Sequence, residues 1–172
     1  MGKTTFRKMT TDDVDALVEL DFKSFGNEAW SREDFLDMAQ IEEAEFIVAE
    51  RDGKIIACAG AVIDSDAAEI QTFAVAPEFR RQGIGLMLFV QLILAIKRRG
   101  TTFVFLEVRP SNTAAIKLYE GFGFKTVDRV KNFYGNEDAL IMVRDYGEGF
   151  CLNGDAYFPS NDTRRRRRRC RD

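Results

Sequence analysis

The chain has 172 residues, 45% of them hydrophobic and 31% charged, with 13 glycines and 3 prolines. That is ordinary globular composition for one domain, neither collagenous nor disordered. There is no histidine, which excludes Ser-His-Asp and Cys-His catalysis and any imidazole-held metal.

A general base must therefore be Glu, Asp, Tyr, Lys or Cys. Cys58, Cys151 and Cys170 lie too far apart in sequence for a four-cysteine zinc site, and three is an odd number for a disulfide framework. A reducing compartment fits that pattern. The first residues, Met1 to Asp13, lack the apolar core of a secretory signal. No apolar run reaches the roughly 18 residues of a membrane span; the longest, Ile84 to Ile96, is shorter and carries Gln91. The expectation is a soluble, cytoplasmic protein with no membrane partner.

The net charge of −3 is unevenly spread. Seven arginines and three aspartates give residues 150–172 a charge of +4, which leaves −7 for residues 1–149. An acidic body disfavours general nucleic-acid binding and attracts cationic substrates.

In chain order, Thr4 to Met9 reads as a first strand. Thr11 is the expected N-cap of an amphipathic helix carrying Val14, Leu17, Val18, Phe22 and Phe25. Ser31, with Asp34 three residues on, opens a second short helix with Phe35, Met38 and Ile41. Residues 46–50 and 54–63 are β-rich and flank Asp52-Gly53, a hairpin signal. With residues 69–75 they make an antiparallel meander. Pro77 breaks that run, and the charged loop 78–82 leads to Gly83-Ile84-Gly85 and a long apolar helix ending at Lys97-Arg98-Arg99-Gly100. Residues 103–108 read as a strand buried on both faces. Pro110-Ser111-Asn112 caps a helix over residues 113–120, stopped by Gly121 and Gly123. Residues 127–133 and 139–144 close the sheet. The pattern predicts one mixed α/β domain over residues 1–146, followed by a flexible linker and Arg-rich tail over 147–172.

Arg81-Gln82-Gly83-Ile84-Gly85-Leu86 lies between a strand and a helix. Glycines there admit a ligand close to backbone N–H groups, and the helix N-terminus supplies about half a positive charge. Arg80 and Arg81 add whole charges, so the chemistry on offer is pyrophosphate binding. Gly-x-Gly by itself is a weak signal, and a helix start needing close packing is the lesser alternative. A dinucleotide fold is disfavoured: the third glycine is missing, a meander precedes the loop, and no second βαβ set follows. A Walker loop is excluded because no Lys-Ser/Thr follows the glycines.

The stretch Val75-Ala76-Pro77-Glu78-Phe79-Arg80-Arg81-Gln82-Gly83-Ile84-Gly85 resembles the acetyl-CoA signature of the GNAT superfamily of N-acetyltransferases. Residues 106–124 resemble its second block, with Glu107, Arg109, Ser111, Asn112, Ala115, Leu118, Tyr119, Gly123 and Phe124 in place. Asn132-Phe133-Tyr134, Glu137 to Met142 and Ala29-Trp30-Ser31 resemble the RimI-type ribosomal-protein-alanine N-acetyltransferases within it. The resemblance covers residues 4–144. It implies a central mixed, mainly antiparallel sheet splayed between its fourth and fifth strands, flanked by about four helices. It implies acetyl-CoA as cosubstrate and no metal. Phe73, Ala74 and Val75 match the pantetheine contacts, and Arg81, Gln82, Gly83, Ile84, Gly85 and Leu86 match the pyrophosphate loop. Asn112 matches a further CoA contact, Glu107 the general base and Tyr119 the general acid. Phe133 and Tyr134 are candidates for the peptide entrance, with a core role equally open for each. The implied acceptor is a basic protein N-terminus, the N-terminal alanine of the eighteenth protein of the small ribosomal subunit.

Two alternatives remain at this level. One keeps the fold and acetylates a lysine or a small-molecule amine. The other is not an enzyme, and makes Arg164 to Arg169 a ribosome- or RNA-anchoring segment, the one route by which nucleic acid could be a direct partner. No cysteine is assigned a role; Cys58 reads as inert core.

Overall fold

The computed structural model describes residues 2–147. The expected Arg-rich tail, Cys151 and Cys170 lie outside the described residues. The described chain forms two compact units that divide after Val104.

The first unit is an antiparallel meander covered by helices. Strand β1 (Thr5–Lys8) pairs with β2 (Ala44–Arg51), β2 with β3 (Lys54–Asp64), and β3 with β4 (Ala67–Val75). Asp52 (φ 52°) and Gly53 (φ 73°) both sit in the left-handed region, as a tight two-residue hairpin between β2 and β3 requires. Helices α1 (Val14–Phe25) and α2 (Arg32–Gln40) follow β1, and α3 (Ile84–Arg98) follows β4. Strand periodicity sorts the core. Phe46, Val48, Cys58 and Val62 join Val14, Leu17 and Leu20 of α1 and Phe35 and Met38 of α2. The alternate residues Ile47, Ala49, Ala57 and Ala59 are buried on the other face, which α3 covers with Leu88, Phe89, Leu92 and Ile96. Small alanines there let a bulky helix lie close to the sheet.

The start of the first helix differs from the sequence expectation. The first helix is preceded by a 3-10 turn, Thr11–Asp13, capped by Thr10 instead of Thr11. Asp13 explains the shift. Its Oδ2 accepts from the Thr10 N–H at 2.8 Å, while its two oxygens accept from Arg7 Nη1 and Nη2 at 2.7 and 2.8 Å. Arg7 also donates to Glu50 Oε2 from Nε (3.0 Å) and Nη2 (2.9 Å). One guanidinium thus ties β1 to β2 and to the α1 entry. The second helix starts as expected: Ser31 accepts from the Asp34 N–H, and Asp34 accepts from the Ser31 N–H at 2.9 Å.

The second unit contains most of β5 (Phe103–Val108), helix α4 (Thr113–Gly121), and strands β6 (Lys125–Val130) and β7 (Ala139–Asp145), with order β5-β7-β6. Strand β5 is buried at nearly every position, as its continuous apolar run requires. Asn112 alone caps α4, its Oδ1 accepting from the Ala115 N–H at 3.2 Å. Ser111, also expected at the cap, is turned to Glu137. Strand β6 ends at Val130, three residues earlier than expected. There Asp138 accepts from the Asn132 N–H (2.9 Å) and Arg129 Nε (2.6 Å), and Asn132 turns left-handed, so residues 131–138 form a loop. Strand β7 ends one residue before the domain boundary expected at 146. Among the described residues no helix is long and apolar enough to cross a membrane, and no three Cys, Asp or Glu side chains are grouped to hold a metal.

Arg7→Ala should destabilise the fold by about 1.5–3 kcal/mol near pH 7, because Asp13, with its side chain 8% exposed, loses its charged partner. The Arg7 hydrogen bond is the main reason the Asp13 carboxyl is held below its usual range. A depressed carboxyl stabilises above its unfolded value, near 3.9, and stops doing so as pH falls through its folded value. Urea unfolding at pH 7 and pH 3 checks this: the gap between wild type and variant should narrow in acid.

Candidate active site

The glycine loop belongs wholly to the first unit. After β4, Pro77–Phe79 makes one 3-10 turn, and the backbone then enters the left-handed region at Arg81 (φ 62°) and Gly83 (φ 77°). Gly83 is the N-cap of α3, and its carbonyl accepts the first helical bond, from the Met87 N–H at 3.1 Å. A helix leaves its first N–H groups without intrahelical acceptors, and here these belong to the loop residues themselves. The two glycines do different work. A Cβ on Gly83 would meet nothing within 4 Å, so open space lies in front of it. A Cβ on Gly85 would lie 3.5 Å from Phe73 Cζ and from Val75 Cγ2. The loop and the end of β4 are therefore packed together, with Phe73 and Val75 beside Gly85. Ala74, between them, faces the core; Ile84 is buried and Leu86 exposed. Phe73 is anchored edge-on against Phe89 of α3, 5.8 Å between centroids.

Three side chains brace this loop in ways the sequence did not reveal. Arg51, at the end of β2, donates to Gln82 Oε1 (3.0 Å) and Thr4 Oγ1 (2.9 Å), and its guanidinium lies 5.4 Å from the Phe79 ring centroid. Gln82 Nε2 donates to the Glu78 carbonyl at 3.2 Å. Arg80, expected to add a whole positive charge, is also tied to the strand end, donating from Nε to the Val75 carbonyl at 2.9 Å. Arg81 is exposed and makes no ion pair among the described residues, so its charge is open to a ligand. No motif spacing signals Arg51, which lies 31 residues from Gln82.

The remaining candidates belong to the second unit. Glu107 is the penultimate residue of β5 and is half-buried. Tyr119 is 5% exposed on α4, its ring 6.0 Å from Phe124. Asn112 lies at the α4 start with its oxygen committed to the cap. Phe133 and Tyr134 stand in the β6–β7 loop, half-buried and edge-to-face at 4.9 Å. In the first unit Trp30 packs on Phe35 and Phe46, and its backbone N–H donates to buried Asp21 at 2.7 Å. Cys58 is fully buried, and desolvation first, then the negative Asp21, pushes its thiol well above the ordinary range. That leaves it inert, as the sequence suggested.

A strand, a glycine turn with open space before Gly83, and a helix follow one another here, and the sequence that forms them matches a known enzyme family. The model of the acetyltransferase (GNAT) family matches residues 14–124. The chain belongs to that family. The ribosomal protein bS18-alanine N-acetyltransferase of Escherichia coli is 34% identical over 143 residues, covering 81% of this chain and 95% of the relative. The crystal structure of the Escherichia coli ribosomal-protein-S18-alanine N-acetyltransferase superposes with a TM-score of 0.78 at 31% identity, covering 91% of this chain and all of that one. A Thermoplasma acidophilum N-acetyltransferase solved in complex with coenzyme A shares the fold, with a TM-score of 0.75 at 22% identity over 84% of this chain and 99% of that one. The mixed α/β architecture expected of a GNAT acetyltransferase is thus the fold of this chain.

Proposed function

We propose that this enzyme transfers the acetyl group of acetyl-CoA to the N-terminal α-amine of a protein that begins with alanine, and that ribosomal protein bS18 is its acceptor. The observation that carries this reading is the 34% identity to the Escherichia coli enzyme over nearly that protein's whole length. We take residues 1–146 as one catalytic domain.

The β4–α3 loop suits the cosubstrate. Open space before Gly83, the first N–H groups of α3 and the exposed Arg81 together favour a pyrophosphate. Gln82, Ile84, Gly85 and Leu86 complete the cradle, and the Phe73–Val75 end of β4 offers backbone to the pantetheine arm. Asn112, with its oxygen held by the cap, has its amide N–H₂ left for CoA. Bound acetyl-CoA supplies a thioester, already activated toward an amine.

The chain's own work is then proton movement and orientation. An N-terminal amine has a pKa of about 7.7–8.0, so about one in seven is neutral at pH 7; for lysine, near 10.4, the fraction is below about one in a thousand. The α-amine needs only modest help. Glu107 is the group to take its proton, directly or through a water, in a chain that has no histidine. Tyr119 Oη is the donor to the departing sulfur. Phe133 and Tyr134 line the peptide entrance. Direct transfer needs no enzyme nucleophile, which agrees with a buried, inert Cys58.

Gly83→Val should raise the Kd for CoA at least about tenfold, or 1.4 kcal/mol. The side chain fills the open space, and a left-handed φ costs a non-glycine residue about 1–2 kcal/mol. Gly85→Ala meets only ordinary contacts and should stay within about threefold of wild type. Calorimetry on folded variants checks both; equal CoA affinity for all three proteins would move the cosubstrate away from this loop.

Tyr119→Phe should lower kcat on an alanine-initiated basic peptide by roughly 10²–10⁴-fold. Glu107→Gln should cost less, and its deficit should shrink as pH rises and the free amine supplies its own neutral form. Rates from pH 6 to 9, with mass spectrometry locating the acetyl group, test the reading. Wild-type turnover by both variants would remove these two residues from the mechanism.

A further inference from the structure

Besides Asp138, the β6–β7 loop is held by a second carboxylate, that of Glu137, which the acceptor chemistry does not use. Glu137 Oε1 accepts from the Ser111 backbone N–H at 2.8 Å. Its Oε2 accepts from Ser111 Oγ at 2.9 Å and from Arg109 Nη1 at 3.2 Å. The Glu137 carbonyl accepts from the Tyr134 N–H at 3.0 Å. Arg109 Cζ in turn lies 4.0 Å from the centre of the Tyr134 ring, and Arg109 Nη1 also donates to Asn136 Oδ1 at 3.1 Å. The carboxylate therefore fixes the guanidinium, and the guanidinium's face fixes the aromatic ring. Both charged side chains are about three-quarters withdrawn from water, at 23% and 26% exposure, so their geometry is better defined than that of a fully solvated surface pair.

The same carboxylate reaches across two connections. Ser111 and Arg109 belong to the β5–α4 turn that leads to Asn112, and Tyr134 belongs to the eight-residue loop 131–138. That loop enters the left-handed region at Asn132 and Gly135. It has few buried apolar anchors, so its shape depends on polar bonds such as these. The Ser111 N–H first, with its hydroxyl and Arg109 adding, holds the Glu137 carboxyl below its usual range, which keeps it ionised at neutral pH.

We propose that Glu137 is a positioning residue: it fixes Arg109, and through Arg109 the ring of Tyr134, and thereby sets the enzyme's affinity for its acceptor peptide without touching the reacting atoms. The proposal rests on Tyr134 lining the peptide entrance, as read above. A fold staple would make the same hydrogen bonds, so the test must separate the two roles.

Glu137→Gln keeps the shape and an oxygen for Ser111 but removes the charge that orients Arg109. It should be compared with Tyr134→Ala and with the double variant in the full chain. In the single Gln variant, KM for an alanine-initiated basic peptide should rise about tenfold while kcat stays within about twofold. The Kd for CoA should be unchanged, and hydrogen exchange of residues 131–138 should quicken. In the Tyr134→Ala background the Gln substitution should add nothing to KM, because the ring through which it acts is gone. A full KM penalty in that background, a fall in kcat matching the fall in kcat/KM, or an unchanged KM would overturn the positioning role. So would unaltered exchange across 131–138. A wild-type chain inert toward the peptide would contradict the acceptor reading instead, and the exchange comparison would still decide whether Glu137 holds the loop.

Discussion

Between β4 and α3 the backbone passes through the left-handed region at Arg81 and again at Gly83. That double turn sets where α3 begins, and so where its first N–H groups point. Its consequences spread through the first unit. Gly85 can lie against Phe73 and Val75 because the turn brings the helix start back to the strand end. Arg51 reaches Gln82, and Arg80 reaches the Val75 carbonyl, so the loop is braced from both sides without spending Arg81. On the proposed reading, a loop that receives a doubly charged pyrophosphate is braced before it binds, which lowers the ordering cost.

The second unit supplies polar groups of a different kind. Its candidates for proton transfer, Glu107 and Tyr119, stand on a strand and a helix, where packing restricts them. Phe133 and Tyr134, the proposed peptide entrance, stand on a loop, which has to be held by side chains. Glu137, Arg109 and Asp138 provide that hold with charge-assisted bonds. The absence of histidine agrees with this division. An α-amine close to neutrality needs a modest base, and a carboxylate serves where a lysine substrate would ask for more.

Much of this was legible in the sequence, for identifiable reasons. The α2 start was readable because Ser31 and Asp34 satisfy each other locally. The β2–β3 hairpin was readable because Asp52-Gly53 names its own turn. The passage from β4 through the glycines into α3 was readable because strand, glycines and helix are contiguous. What stayed hidden depends on partners far away in sequence. Thr10 replaces Thr11 as the cap because Asp13 is also claimed by Arg7. Ser111 leaves the α4 cap because Glu137, 26 residues on, takes both its donors. Strand β6 stops early because Asp138 closes the turn back onto Asn132 and Arg129. Periodicity reports which face is buried; it carries no record of which distant carboxylate will claim a given donor.

The proposed reaction delivers the acetyl group to a free N-terminal amine. It is tested most directly with two peptides of one basic sequence, each containing internal lysines, one starting with free alanine and the other with acetylated alanine. Both are incubated with the enzyme and acetyl-CoA, and fragmentation mass spectrometry locates every added acetyl group. The free alanine amine should carry a single acetyl, and the blocked peptide none. Comparable lysine acetylation on both peptides would contradict the proposed reaction.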